Sequence, residues 1–365
     1  MICFSLSEEQ SMMKDTVAKL ILNNIKDNVH EMDEKCFIPD EFIGKFHELG
    51  TVMSIIPEEY GGCGFGSSPV MNCIILEELA FGDMGYAFAA GLASLFIIPI
   101  IEMGTDVQKK KYLPAYAEGD IPIPCPLAIS EMSFKFDPVQ LSTKAVKKNG
   151  SYILNGKKCF VPMAEKARFI MVAASLNGEN NIFIVDRKNP GLTVGEAEKN
   201  LGLNTLGTYT INLENCEIPA DDRLGGENGI DYDRLLQKTR TALSAVGTGI
   251  ARASYEYALN YAKERTQFGE PIASRQAVAF MLAEMAYETD AMRLLTWKAA
   301  SALEAGRDAA RESFLAKIYT GDMAMKLTDY GVQILGGHGY IREHPVERYY
   351  RNARGIAILE GMAIA

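Results

Sequence analysis

Three runs of helical hydrophobic period, Tyr232–Arg265, Arg275–Ala305 and Ala309–Leu335, fill most of the last third of this chain, and only short turns separate them. Runs this long and this closely joined must fold back on one another, which points to an antiparallel helical bundle. The first third is helical too. Ser7-Glu8-Glu9-Gln10 has the spacing of a capping box, and Met13, Val17, Leu20, Ile21 and Ile25 follow at helical period. Pro39-Asp40 opens a second helix with Gly50 as its stop, Ser67–Phe81 and Ala87–Met103 are two more, and Thr105 or Asp106 caps another that ends near Gly119.

Between these helical parts the period changes. Asn149-Gly150, Asn155-Gly156 and Asn177-Gly178 are each a hairpin signal, because both residues of such a turn can take positive φ. Short strands at Phe169–Ala174, Ile182–Val185, Leu192–Val194 and Thr208–Asn212 complete a small β barrel or sandwich. The predicted fold class is α+β: an N-terminal helical domain over 1–120, a middle β domain over 121–225, and a C-terminal antiparallel four-helix bundle over 226–365.

Composition narrows the function classes. Lys and Arg number 37 against 47 Asp and Glu, a net charge of −10, which argues against a general nucleic-acid-binding surface. The seven cysteines are odd in number and none has C-x-x-C spacing, so the chain reads as belonging to a reducing, cytoplasmic compartment. With His30, His47, His338 and His344 the only histidines, no local metal site is expected. Met1–Ser5 lacks the basic start and apolar core of a signal peptide. Ala87–Ile101 is short for a membrane span and reads as a buried helix.

Four stretches are candidates for chemistry. Gly336-Gly337-His338-Gly339-Tyr340 is either a helix C-cap with a tight turn or a place where backbone closely approaches a cofactor, with Gln333 one turn earlier. Glu264-Arg265-Thr266-Gln267-Phe268-Gly269 reads as ordinary helix termination or as a phosphate contact through the Arg fork. Lys238-Thr239-Arg240 precedes the small residues Thr241, Ala242, Ser244, Ala245 and Gly247, which suit tight helix packing or a ligand. Glu360 is a solvated turn residue or a general base, and apolar Ile358, Leu359 and Met362 beside it favour a raised carboxyl pKa.

In order, these blocks resemble the acyl-CoA dehydrogenase family over essentially the whole chain. The resemblance runs through Pro57-Glu58-Glu59-Tyr60-Gly61-Gly62, Leu76-Glu77-Glu78-Leu79-Ala80, Gly104-Thr105-Asp106 and Tyr112-Leu113-Pro114. It continues through Arg265–Ile272, Gln333–Tyr340, Pro345-Val346-Glu347-Arg348 and Tyr350-Arg351-Asn352-Ala353. It implies FAD-dependent α,β-dehydrogenation of an acyl-CoA, or the reverse enoyl-CoA reduction, with Glu360 as the catalytic base. It further implies that Ile129, Ser130, Phe160, Pro162, Arg265, Gln267, Phe268, Gln333, Gly336 and Gly337 bind the cofactor. Arg240, Phe136 and Gly361 would meet the substrate. Arg265, Gln267 and Phe268 match positions that reach the FAD of a neighbouring subunit, so a homotetramer or a heteromer with a related subunit follows. Electron-transferring flavoprotein is the implied partner. Ala87 stands near the place where the family's dicarboxylate binders carry an Arg, which argues against a glutaryl-type substrate.

The chain departs from the family where flavin is expected. Ser130-Glu131-Met132 replaces Thr-Glu-Pro, and Phe134, Lys135 and Phe136 replace small turn residues. Phe160-Val161-Pro162 replaces Trp-Ile-Thr, and Pro162 has neither hydroxyl nor N–H. Met362 stands where a Thr often contacts the cofactor. The chain stops at Ala365 where family members continue, so Glu360 is expected on a frayed tail. These departures keep open a flavin-poor or degenerate subunit of a heteromeric complex, and a dehydrogenase of a non-CoA thioester.

Overall fold

The computed structural model describes residues 5–117 and 123–365. The expected helix end near Gly119, the expected boundary at 120/121 and the first four residues lie outside that set.

The N-terminal helices are α1 Glu8–Leu20, α2 Val29–Lys35, α3 Asp40–His47, α4 Thr51–Ile55, α5 Pro69–Gly82, α6 Met84–Met103, α7 Asp106–Tyr112 and α8 Pro114–Ala117. The capping box of α1 forms as predicted, with Gln10 N–H donating to Ser7 Oγ at 3.1 Å and Ser7 N–H to Gln10 Oε1 at 3.0 Å. Gly50, expected as a helix stop, instead sits three residues beyond α3 and leads into α4 at φ +72. The apolar helix α6 is the one described helix long and apolar enough to cross a membrane, and 83% of its most apolar window is buried inside the protein.

Seven strands form a single mixed sheet: β1 Leu127–Ala128, β2 Lys144–Lys148, β3 Ser151–Pro162, β4 Phe169–Leu176, β5 Glu179–Asp186, β6 Leu192–Ala197 and β7 Thr208–Pro219. The order is β1-β4-β2-β3-β7-β6, and β5 also pairs with β4. Asn149-Gly150 joins β2 to β3 and Asn177-Gly178 joins β4 to β5, all four residues at positive φ, as their sequence signal predicts. Asn155-Gly156 does not turn. It is a bulge inside β3, where Asn155 pairs with Lys144 of β2 and its Oδ1 accepts the Asn215 N–H at 2.8 Å. Glycine is needed there because a Cβ would lie 2.5 Å from Thr143 Oγ1. The sheet wraps its own core of Tyr152, Leu154, Ile170, Phe183 and Ile211.

The C-terminal helices are α9 Tyr232–Glu264, α10 Gln276–Glu304, α11 Ala310–Leu335 and α12 Val346–Ile356, with a small hairpin of β8 Thr266–Gln267 and β9 Glu270–Pro271 between α9 and α10. The predicted long runs are met to within a residue at each end. The 33-residue α9 is the central element, packed against α5, α10, α11 and α12. Its small residues explain the close fit: a Cβ on Gly249 would come within 2.3 Å of the Glu77 carbonyl oxygen on α5, and one on Gly247 within 2.3 Å of Thr320 Cγ2 on α11. One continuous core joins the N-terminal helices, the C-terminal bundle and residues Leu127 and Ile129 of the β region.

Gly249→Ala forces α5 and α9 apart against backbone that cannot yield. The expected loss is about 1–3 kcal/mol, the range of overpacked cores, read by urea denaturation.

Candidate active site

Glu360 follows α12, in a segment whose residues 359–365 are all buried. The expected frayed tail is therefore corrected, as is the alternative of a solvated turn. Leu359, Met362, Ile364 and Ala365 lie in the main core, and the Ala365 N–H donates to the Lys238 carbonyl at 3.3 Å. Burial of these apolar side chains outweighs the fraying usual at a chain end. Gly361 takes φ +72, and a Cβ there would meet Ile129 Cδ1 at 2.9 Å. That close approach sets Glu360 beside the end of β1.

A carboxylate so buried needs countercharge. Glu360 Oε1 accepts a hydrogen bond from Lys317 Nζ of α11 at 2.5 Å and lies 3.6 Å from Arg240 Nε of α9. Arg240 also lies over the Phe314 ring, 5.6 Å from its centroid. Burial pushes the Lys317 pKa down, and the Glu360 charge pulls it part of the way back. The other oxygen, Oε2, is buried without a partner, and so is Arg240 Nε. An unpaired buried polar atom costs about 1–3 kcal/mol, so each of these atoms calls for a partner. Lys317 carried no signal in the sequence, where it is one of two lysines on an amphipathic helix.

Ile129 and Ser130 lie against β3. Ser130 accepts the Cys159 N–H at its carbonyl, 3.0 Å away, while its hydroxyl is buried and unpartnered. Beneath them Lys158 is fully buried and donates to the Ile129 carbonyl at 3.0 Å and to Glu131 Oε1 at 2.8 Å. Glu131 also accepts from the Ser142 N–H at 2.7 Å, the Ser142 hydroxyl and the Thr143 N–H at 2.9 Å. Burial alone would raise the Glu131 pKa, but Lys158 and these donors override it and hold it at about 2. Phe160 is half-buried at φ +54, and its N–H donates to both oxygens of Glu198 at 3.2 Å. Pro162 ends β3 opposite Thr208, and Phe136 is half-buried against the main core.

The remaining candidates form a second group. Arg265, Gln267 and Phe268 are exposed past the end of α9, with the Phe268 ring 93% accessible. Gln333, Gly336 and Gly337 are exposed at the end of α11. The two stretches share one end of the bundle, since Tyr261 of α9 hydrogen-bonds His338 at 2.7 Å. Arg240 and Arg265 stand roughly 37 Å apart along the helix axis at 1.5 Å per residue. The structure thus brings Glu360, Arg240, Gly361 and Ile129 together, with Ser130 next in the chain, and separates them from the group at Arg265 and Gln333.

Comparison with known proteins shows the family. Residues 7–120, 126–216 and 230–363 match, in turn, the N-terminal, middle and C-terminal domain models of acyl-CoA dehydrogenase. A probable acyl-CoA dehydrogenase of Mycobacterium tuberculosis, FadE25, is 36% identical over 98% of this chain and 93% of its own. The chain belongs to the acyl-CoA dehydrogenase family. The solved butyryl-CoA dehydrogenase of Megasphaera elsdenii superposes with a TM-score of 0.89 at 31% identity, covering 99% of this chain and 96% of that one. A chain in a structure described as the electron transferring flavoprotein of Acidaminococcus fermentans superposes with a TM-score of 0.89 at 34% identity, covering 99% and 96%. As a member of this acyl-CoA dehydrogenase family the chain is an oxidoreductase acting on the CH–CH group of an acyl-CoA, and the cofactor of the family is FAD.

Glu131→Gln removes the counter-ion of the buried Lys158, with an expected cost of about 3–5 kcal/mol in urea denaturation at neutral pH. Because folding lowers the Glu131 pKa from 4.5 to about 2, its stabilisation is complete above pH 4.5 and is lost as pH falls towards 2. The variant should lack that part of the acid dependence.

Proposed function

We propose that this dehydrogenase removes the α-proton of an acyl-CoA thioester with Glu360, the β-hydrogen leaving as hydride. The observation that carries the reading is the buried, unpartnered Oε2 of Glu360, an acceptor whose sister oxygen is already engaged. The Glu360 backbone N–H is one donor to the thioester oxygen, where charge grows as the proton leaves and where a preorganised donor favours the transition state. Arg240 offers positive charge on the substrate side, and Phe136 and Gly361 border the path of the substrate.

FAD, when bound, supplies the hydride acceptor. Two features support a flavin at this place: the orphaned Ser130 hydroxyl and the half-buried Phe160 ring. Ile129, Ser130, Phe160 and Pro162 would hold it from the β region. Arg265, Gln267, Phe268, Gln333, Gly336 and Gly337 would hold it from another copy, because their distance from Glu360 puts them out of reach within one chain. This reading makes the working unit an oligomer, of four identical chains or with a related subunit. The likeness to a chain in a structure described as an electron transferring flavoprotein supports that class of protein as the electron acceptor.

One feature favours a second reading, a flavin-poor subunit that depends on an intact partner. Pro162 has no N–H, and that of Phe160 is already taken by Glu198, so two backbone donors are missing from the flavin's side. A visible spectrum of the purified protein with added FAD separates the two. One FAD per subunit supports the enzyme, and a colourless protein that gains flavin only with a second chain supports the alternative.

In the flavin-loaded protein, Glu360→Gln should slow acyl-CoA-dependent bleaching by about 10²–10⁴-fold, the usual worth of a general base, with FAD content unchanged. Bleaching at the wild-type rate would remove Glu360 from the mechanism.

A further inference from the structure

Glu360 is faced from α11 by Lys317 and from α9 by Arg240 and, more distantly, Tyr232, with Glu131 beyond Tyr232. We infer that Lys317 is a positioning residue: it holds Oε1 of Glu360 so that Oε2 alone is presented to the substrate. The inference rests on Glu360 being the base.

Three independent observations carry it. Glu360 is the only carboxylate in salt-bridge range of Lys317 among the described residues, and both side chains are buried. The two oxygens of Glu360 are sharply unequal, one bonded to Lys317 and one with no partner at all. The backbone on both sides of the pair is also held. One turn on, Thr320 fills the notch at Gly247 of α9, and at Gly321 a Cβ would stand 3.3 Å from Ala357 Cα, in the segment leading to Glu360. Arg240 Nε, 3.6 Å from the same carboxylate, is likewise buried and unpartnered.

The pair also sets the charge of the pocket. Two cations flank one carboxylate. Arg240 is the more distant of the two and contacts Glu360 without a hydrogen bond, so it cannot fix which oxygen is free.

The test uses the FAD-loaded protein and the rate of flavin bleaching by an acyl-CoA as a function of pH. In Lys317→Met the acidic limb of that profile should move up by about one to three pH units, the effect expected on losing one close opposite charge. The KM for acyl-CoA and the FAD content should hold, since Lys317 touches neither ligand in this reading. Lys317→Arg, which keeps the charge, should return the limb to its wild-type place. A Lys317→Met limb that coincides with wild type overturns the inference; if that variant does not fold, Lys317→Gln is judged by the same criterion. Infrared titration of the carboxyl band that Glu360→Gln removes gives a readout without turnover. A band that titrates at higher pH in Lys317→Met upholds the pairing even where no acyl-CoA bleaches the flavin, and an unmoved band overturns it. Absence of bleaching in the wild type tells instead against Glu360 as the base.

Discussion

The close approach of α9 to its neighbours is the constraint on which the rest of the molecule depends. At Gly249 the helix comes so near the backbone of α5 that no side chain fits, and at Gly247 it admits Thr320 of α11. Helices can approach this closely only where small residues face each other across the contact. Because α9 also carries Arg240, the same contacts that bind the N-terminal helices to the bundle decide where the positive charge of the site stands. The tail after α12 then has a single place to go, between α9 and the end of β1, and Gly361 is the residue that lets it pass Ile129.

Charge balance is the second organising element. Two ionic clusters are buried near one another, Glu131 with Lys158 and Glu360 with Lys317 and Arg240, and they differ in how fully they are satisfied. Glu131 has three donors as well as its countercharge, and all of its capacity is spent on holding the loop after β1 to β3. Glu360 has one hydrogen bond and one free oxygen. A fully satisfied buried carboxylate is structural, whereas a half-satisfied one retains acceptor strength that a substrate can use.

Much of this was legible from residues alone, and where it was not the causes are particular. The capping box at Ser7 and the hairpins at Asn149 and Asn177 are set by bonds among neighbours, so local sequence suffices. Asn155-Gly156 carries the same dipeptide, but Thr143 and Asn215 come from distant parts of the chain and convert it into a bulge. Gly50 and the short α4 depend on packing in the same way, and a five-residue helix leaves no period to read. The tail from Leu359 to Ala365 looked loose because chain ends usually are, and only the core it enters shows otherwise. Lys317 and Glu198 could not be found beforehand, since each is named only by the residue it meets across the fold.

The sequence by itself determined the element types, the order of helical, β and helical parts, and, through its ordered motifs, the family. These follow from periodicity, turn chemistry and residue identity, which are properties of neighbours in the chain. Tertiary structure decided which groups share a pocket: that Glu360 is buried, that one of its oxygens is bound and the other free, and that Arg265 and Gln333 lie far from it at the other end of α9. Those are facts about distance between residues remote in sequence, and distance exists only once the apolar surfaces have been buried against one another.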